Sequence, residues 1–166
     1  MKKVAVFMGS KSDLDIMESC FETLKKFDIP FDVYILSAHR TPDEVAQVCK
    51  TAEENYGVII AAAGFAAHLA GTIAGKVTIP VIGIPVDNSS FKGLDSLLST
   101  VMMPPGVPVA TVTTGKAGAV NAAVLAAQIL SIGYPEVRDK LREYKVQMRE
   151  KVLKANEEAK AYSYEG

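Results

Sequence analysis

Apolar runs of five to eight residues alternate along this chain with stretches whose apolar positions recur at helical spacing. The first run, Val4 to Met8, reads as a strand. Asp13 to Phe27 follows with Leu14, Met17, Phe21 and Leu24 on one face, the mark of an amphipathic helix, for which Ser12 or Asp13 can serve as cap. Ile29-Pro30 ends that helix and Phe31 to Leu36 is a second strand. Pro42 to about Asn55 is a second helix, with Thr41 as its N-cap and Pro42 at the first position, where a missing N–H costs nothing. Val58 to Ala63 is apolar on both faces, as a central parallel strand must be.

A short, small-residue helix then follows Gly64-Phe65-Ala66-Ala67-His68-Leu69. Val81 to Val86 is a fourth strand, and Leu94, Leu97, Leu98 and Val101 keep helical spacing within Phe91 to Met103. Met103-Pro104-Pro105-Gly106 breaks that helix before a fifth strand, Val107 to Thr113. Ala117 to Ser131 is apolar nearly all round, which predicts burial on more than one side, with a neighbouring subunit as part of the cover. Pro135 to about Tyr162 is long and charged, with a stripe at Val137, Leu141, Tyr144, Met148 and Val152. At 1.5 Å per residue it spans roughly 40 Å, more than a domain of this size needs, so it is expected to dock on another subunit.

Strands alternating with helices predict βαβ units and an α/β fold. Five of them suggest a doubly wound, flavodoxin-like sandwich with a parallel sheet in the order 2-1-3-4-5. That order places strand one between strands two and three, so the loops after all three meet at one carboxyl edge. The chain is read as a single domain over 1–166, with a core at 1–131 and the last helix at 135–162.

Composition narrows the function classes. With 166 residues, 49% hydrophobic and 22% charged, the chain can bury a substantial core. A net charge of −1 leaves no electrostatic footprint for nucleic acid, and the absence of Trp leaves little to stack bases. Apolar stretches are interrupted by Gly and Pro well short of a membrane span, and no secretory leader is read at the N-terminus, so the cytoplasm is the expected location. Cys20 and Cys49 fall within helices and read as buried, reduced thiols.

The three converging loops carry the chemistry. Gly9-Ser10-Lys11-Ser12-Asp13 offers backbone N–H groups and hydroxyls at a helix mouth, suited to an anion, with Asp13 able to accept from a sugar hydroxyl pair; a plain helix cap is the alternative. It matches neither Gly-x-x-x-x-Gly-Lys nor Gly-x-Gly-x-x-Gly. In Ser37-Ala38-His39-Arg40-Thr41-Pro42, Arg40 can grip a phosphate through parallel donors, and His39 can trade protons near neutrality. Gly64 to Leu69 lets backbone approach a ligand closely; His68 is read as holding the loop or lining the pocket rather than as a second proton carrier. The two His have no carboxylate or thiolate spacing around them, so no metal site is expected. What remains is acid–base chemistry on a phosphorylated small molecule.

These loops, with Asp95-Ser96-Leu97-Leu98-Ser99 and Gly106-Val107-Pro108-Val109-Ala110-Thr111-Val112, resemble the class I N5-carboxyaminoimidazole ribonucleotide mutases of bacterial purine biosynthesis over Val4 to Leu130. The resemblance implies a homo-octamer with sites at subunit contacts, and transfer of a carboxylate from the exocyclic nitrogen to ring carbon 4. It implies that Ser10, Ser12 and Arg40 hold the ribose phosphate with Ser37 nearby, that Asp13 binds the ribose hydroxyls, and that Gly64, Ala66, His68 and Leu69 enclose the base and carboxylate. His39 would be the acid–base residue, and no cofactor is required. Phe65, Ala70 and Met102 stand where the family usually has Gly, Pro and Gln. Two competing readings are the class II carboxylase, which adds CO2 directly but carries a Lys after the loop-two His, and a flavodoxin-like nucleotide-binding module without turnover.

Overall fold

The computed structural model describes residues 1–164. Its organising feature is a five-stranded parallel sheet in the order β2-β1-β3-β4-β5, as the apolar pattern predicts. The strands are β1 (Lys3–Met8), β2 (Phe31–Ile35), β3 (Tyr56–Gly64), β4 (Val81–Val86) and β5 (Ala110–Thr111). The helices are α1 (Leu14–Lys26), α2 (Pro42–Lys50), α3 (Ala52–Asn55), α4 (Leu69–Ala74), α5 (Leu94–Val101), α6 (Gly115–Leu130) and α7 (Pro135–Ala159).

Alternation along each strand divides the core in two. Val4, Val6 and Met8 of β1 join Val58, Ile60 and Ala62 of β3 under α1 and α6. Ala5 and Phe7 join Ile59 and Ala61 on the opposite face, against Val45 and Cys49 of α2 and Leu69 and Ile73 of α4. Gly83 of β4 has no room for a side chain, because Thr100 Cγ2 of α5 stands 2.3 Å from where its Cβ would be. The result is three layers, with helices covering both faces of the sheet.

The departures from the sequence expectations have local causes. The predicted second helix breaks at Thr51 (φ −111°, ψ 8°) into α2 and α3, at a β-branched residue of low helix propensity. The third strand starts two residues early, at Tyr56, and the register slips between Lys3/Val4 so that Gly57 is left over as a bulge. A Cβ at Gly57 would stand 2.6 Å from Leu130 Cδ2 of α6, so a side chain there would require that leucine to turn aside. The fifth strand is cut from Val107–Thr113 to Ala110–Thr111: Pro108 has no N–H to give to the ladder.

The cover on α6 also differs from expectation. Ala119, Ala122, Ala123, Ala126 and Ala127 are buried by this chain's own elements, mainly α1, with the sheet and α7 completing the cover. Small residues let α1 and α6 approach closely, so no second subunit is needed to bury them. Helix α7 docks only through its first half. Val137 and Leu141 are buried, the Tyr144 ring meets Phe27 edge-on at 5.4 Å, and Lys140 pairs with Asp28. Beyond Tyr144 the predicted stripe faces outward, with Met148 and Val152 exposed.

Candidate functional site

The loops after β1, β2 and β3 do meet, because β1 lies between the other two. A cavity of about 360 Å³ opens there, walled by Ser10, Ser12, Asp13, Ser37, Arg40, Ala63, Gly64, Phe65, Ala67 and Asn88 together with Gly9.

The first loop is folded by its own polar groups. Ser10 has extended backbone and caps a 3-10 turn over Lys11–Asp13 that leads into α1. Its Oγ accepts from the Ser12 N–H at 3.3 Å, and the Ser10 N–H donates to Asp13 Oδ2 at 3.1 Å, a reciprocal capping box. Ser10 caps this turn, while Asp13 stands at the N-cap position of α1, one of the two caps expected from the sequence, though its side chain makes no cap hydrogen bond to α1. Ser12 Oγ lies 3.0 Å from Ser10 Oγ and 3.3 Å from Asp13 Oδ1, so three oxygens cluster at the mouth of α1. Asp13 is buried, and the loss of solvent raises its carboxyl above the ordinary 3.8. Hydrogen bonds from Ser10 and Ser12 and the Arg40 charge oppose the rise.

The second loop is a turn knitted by hydroxyls. Ser37 Oγ accepts from the N–H groups of His39 at 3.4 Å and Arg40 at 3.2 Å. Thr41 stands at the N-cap position of α2, yet its side chain caps nothing there. Its Oγ1 instead accepts from the Ser37 N–H at 2.8 Å and lies 3.1 Å from Ser37 O, closing the turn. Arg40 Nη2 donates to Gly9 O at 2.9 Å, which ties the second loop to the first and leaves other guanidinium donors free to face the cavity.

The third loop is strained. Phe65 (φ 54°) and His68 (φ 53°) both occupy left-handed backbone, which costs a non-glycine residue about 1–2 kcal/mol. Phe65 is 59% exposed at the cavity wall, and Ser99 Oγ of α5 donates to Phe65 O at 3.4 Å. His68 brings its ring edge-on to His39, with centroids 6.3 Å apart. Both His rings lie outside the cavity wall, as do Ala66, which is exposed, and Leu69, which is buried in the α2–α4 core. The structure thus gathers Ser10, Ser12, Asp13, Ser37, Arg40 and Gly64 around one space, and pairs His39 with His68 beside it. Among the described residues, no group of three His, Cys, Asp or Glu is placed to hold a metal.

Sequence reasoning missed Asn88. The signal was present in the topology, since β4 borders β3 and the loop after it must reach the same edge.

Comparison with known proteins resolves the family. The model described as AIR carboxylase matches residues 3–151. The chain belongs to the AIR carboxylase family. Within the family, it is 51% identical over 150 residues to the N5-carboxyaminoimidazole ribonucleotide mutase of Pyrococcus abyssi, covering 90% of this chain and 85% of that protein. It is 48% identical over 165 residues to the mutase of Thermotoga maritima, covering 99% and 95%. Against the mutase of Escherichia coli K12 it is 48% identical over 152 residues, covering 91% and 90%. Among solved structures, Treponema denticola PurE superposes with a TM-score of 0.86 at 31% identity, over 95% of this chain and 98% of that one. The family match spans all three loops and ends within α7.

Proposed function

We propose that this AIR carboxylase family member is an N5-carboxyaminoimidazole ribonucleotide mutase, an isomerase that forms the 4-carboxy-5-aminoimidazole ribonucleotide for purine synthesis. The observation that carries the reading is one cavity lined by Ser10, Ser12, Asp13 and Arg40, with His39 in the same turn as Arg40, in a chain about half identical to proteins of that name. The hydroxyls of Ser10 and Ser12 and the free donors of Arg40 hold the ribose phosphate at the mouth of α1, with Ser37 shaping the turn that aims Arg40. Asp13 accepts from the ribose hydroxyls. Gly64 and the loop through Ala66 and His68 enclose the base and carboxylate, with Leu69, at the start of α4, anchoring that loop in the core.

His39 performs the proton chemistry. As its imidazolium protonates the carbamate substrate, the N–C bond breaks and CO2 leaves, giving the uncarboxylated aminoimidazole ribonucleotide. The electron-rich ring carbon 4 then attacks CO2, and neutral His39 removes the proton from that carbon. One group acting first as acid and then as base needs a pKa near the working pH, which imidazole supplies. The CO2 must stay in place between the two steps, so the pocket must exclude water.

A second part of the reading concerns assembly. The whole chain works as one domain over 1–166 within a homo-octamer in the cytoplasm, with the far half of α7 docked on a neighbouring copy. Support comes from α7 itself, where Val146, Met148, Val152 and Leu153 are exposed past the Tyr144 ring that meets Phe27. An apolar face on α5, with Leu94, Leu98 and Val101 about half exposed, adjoins the site and supports the same view. The net charge of −1 supports a small-molecule substrate rather than nucleic acid.

The test is substrate choice. The purified chain is offered the carbamate ribonucleotide alone, and separately the uncarboxylated ribonucleotide with bicarbonate. Faster conversion of the carbamate supports the mutase. Preference for the uncarboxylated ribonucleotide makes it a carboxylase, and no turnover of either leaves a binding module.

A further inference from the structure

The cavity wall reaches past the three loops to Asn88, in the loop after β4. Asn88 lies two residues beyond β4, on the opposite side of β3 from the loops that carry Ser10, Ser12 and Arg40. Its amide lies directly across Gly64. A Cβ at Gly64 would stand 1.9 Å from Asn88 Oδ1 and 2.6 Å from Cγ, so the third loop has a bare backbone where the amide passes. Neighbouring polar groups are bound internally: Ser89 Oγ donates to Asp95 Oδ1 at 2.6 Å, and Ser96 Oγ lies 2.8 Å from Val86 O. Asn88 is an exposed residue of the cavity wall, and its amide, which makes no hydrogen bond among the described residues, offers the cavity both a donor and an acceptor.

We propose that Asn88 is a further residue that holds the migrating carboxylate, through its Nδ2 donor, beside the third loop and across the cavity from the phosphate. This rests on the mutase reading and extends it to a residue outside the family motifs. Charge explains why an amide suits the position. The ribose phosphate keeps its charge throughout, so a cation is well used on it, and Arg40 is the one cation among the described residues of the cavity wall. The carboxylate, by contrast, loses its charge as CO2 leaves and regains it at carbon 4. A cation at that end would stabilise the charged ground state more than the nearly neutral transition state and would slow the departure of CO2. A carboxylate there would repel the substrate. A neutral donor orients the group without either penalty.

The test compares three ligands on wild type, Asn88→Asp and Asn88→Ala in the full chain, by calorimetric titration. The ligands are the 4-carboxylated ribonucleotide, the uncarboxylated ribonucleotide and ribose 5-phosphate. Asn88→Asp keeps the shape and exchanges the donor for a like charge, so affinity for the carboxylated ligand should fall by more than about tenfold, and Asn88→Ala should lose about three- to tenfold. Both variants should bind the other two ligands within about twofold of wild type, since neither of those ligands carries the carboxylate that the lost donor or the new charge would meet. An equal loss for all three ligands shows a structural effect and overturns the proposal, as does no loss for any. Wild type that fails to isomerise the carbamate overturns the mutase reading; wild type that isomerises it while Asn88→Asp binds all three ligands alike overturns the role of Asn88 alone.

Discussion

Replacing His39 by Asn removes the proposed proton carrier while keeping a polar side chain of similar reach. The His39 residue is exposed, its main-chain N–H meets Ser37 Oγ at 3.4 Å, and its ring lies edge-on to His68 with centroids 6.3 Å apart. None of those features is lost with a large buried area, so stability should change by no more than about 0.5 kcal/mol. Positioned acid–base groups are worth about 10²–10⁴ in rate. At about 1.36 kcal/mol per tenfold, that is roughly 3–5.5 kcal/mol of barrier, several times the expected change in folding. The assay follows the conversion of the carbamate ribonucleotide for kcat and KM, with a thermal melt of the same preparation. Because Ser10, Ser12 and Arg40 are untouched, KM should stay within about threefold while kcat falls by at least about a hundredfold. A kcat within about threefold of wild type refutes the acid–base assignment, because such a loss is far below what the role supplies. A fall in kcat that tracks a fall in melting temperature refutes it too.

Asp13→Asn should trade binding for stability. Burial raises the Asp13 carboxyl above 3.8, so the native state holds this proton to higher pH than the unfolded chain. The group's contribution to stability therefore declines as pH rises through that window. The Asn variant should lose that decline and be at least as stable at neutral pH, while ribose binding weakens; a less stable variant at neutral pH contradicts this. Gly118→Ala should be among the most damaging single changes, because the added Cβ would stand 1.8 Å from Thr113 O of the backbone leading into α6. Overpacking of this kind costs about 2–3 kcal/mol, or roughly 5–10 °C in Tm, and an unchanged melt would show that the turn yields easily. Phe65→Gly relieves left-handed strain at φ 54°, and the greater freedom of Gly in the unfolded chain offsets about as much, so stability should move by less than about 1 kcal/mol. The same change removes an apolar ring from the cavity wall, and more turnovers should release free CO2; an unchanged fraction would show that the ring seals nothing.

The fold was legible where burial pattern and turn chemistry agreed. The fully apolar strands β1, β3 and β4 and the breaks at Ile29-Pro30 and Pro104-Pro105-Gly106 are enough to lay out the parallel order, and the order alone brings the three loops together. What escaped were features set by tertiary contact. The bulge at Gly57 arises from how β3 pairs with β1, and the cover on α6 depends on how closely its Ala residues let α1 approach. Within the site, residue types pointed to Ser10, Asp13, Ser37, His39 and Arg40, because hydroxyls, a carboxylate and cations at helix mouths have local meaning. Their roles inside the loops were less visible: Thr41 spends its hydroxyl closing the Ser37 turn rather than capping α2, and Arg40 is anchored on Gly9 O. Asn88 carried no motif, and only its place beside Gly64 gives it meaning.

The central claim is that one closed pocket releases CO2 and recaptures it. Carbamate substrate labelled with ¹³C at its carboxyl, turned over in excess unlabelled bicarbonate and followed by NMR, tests it most directly. Label retained at ring carbon 4 of the product is the predicted result. Product that forms with its label exchanged for unlabelled carbon contradicts the account, since the CO2 would then have passed through solvent.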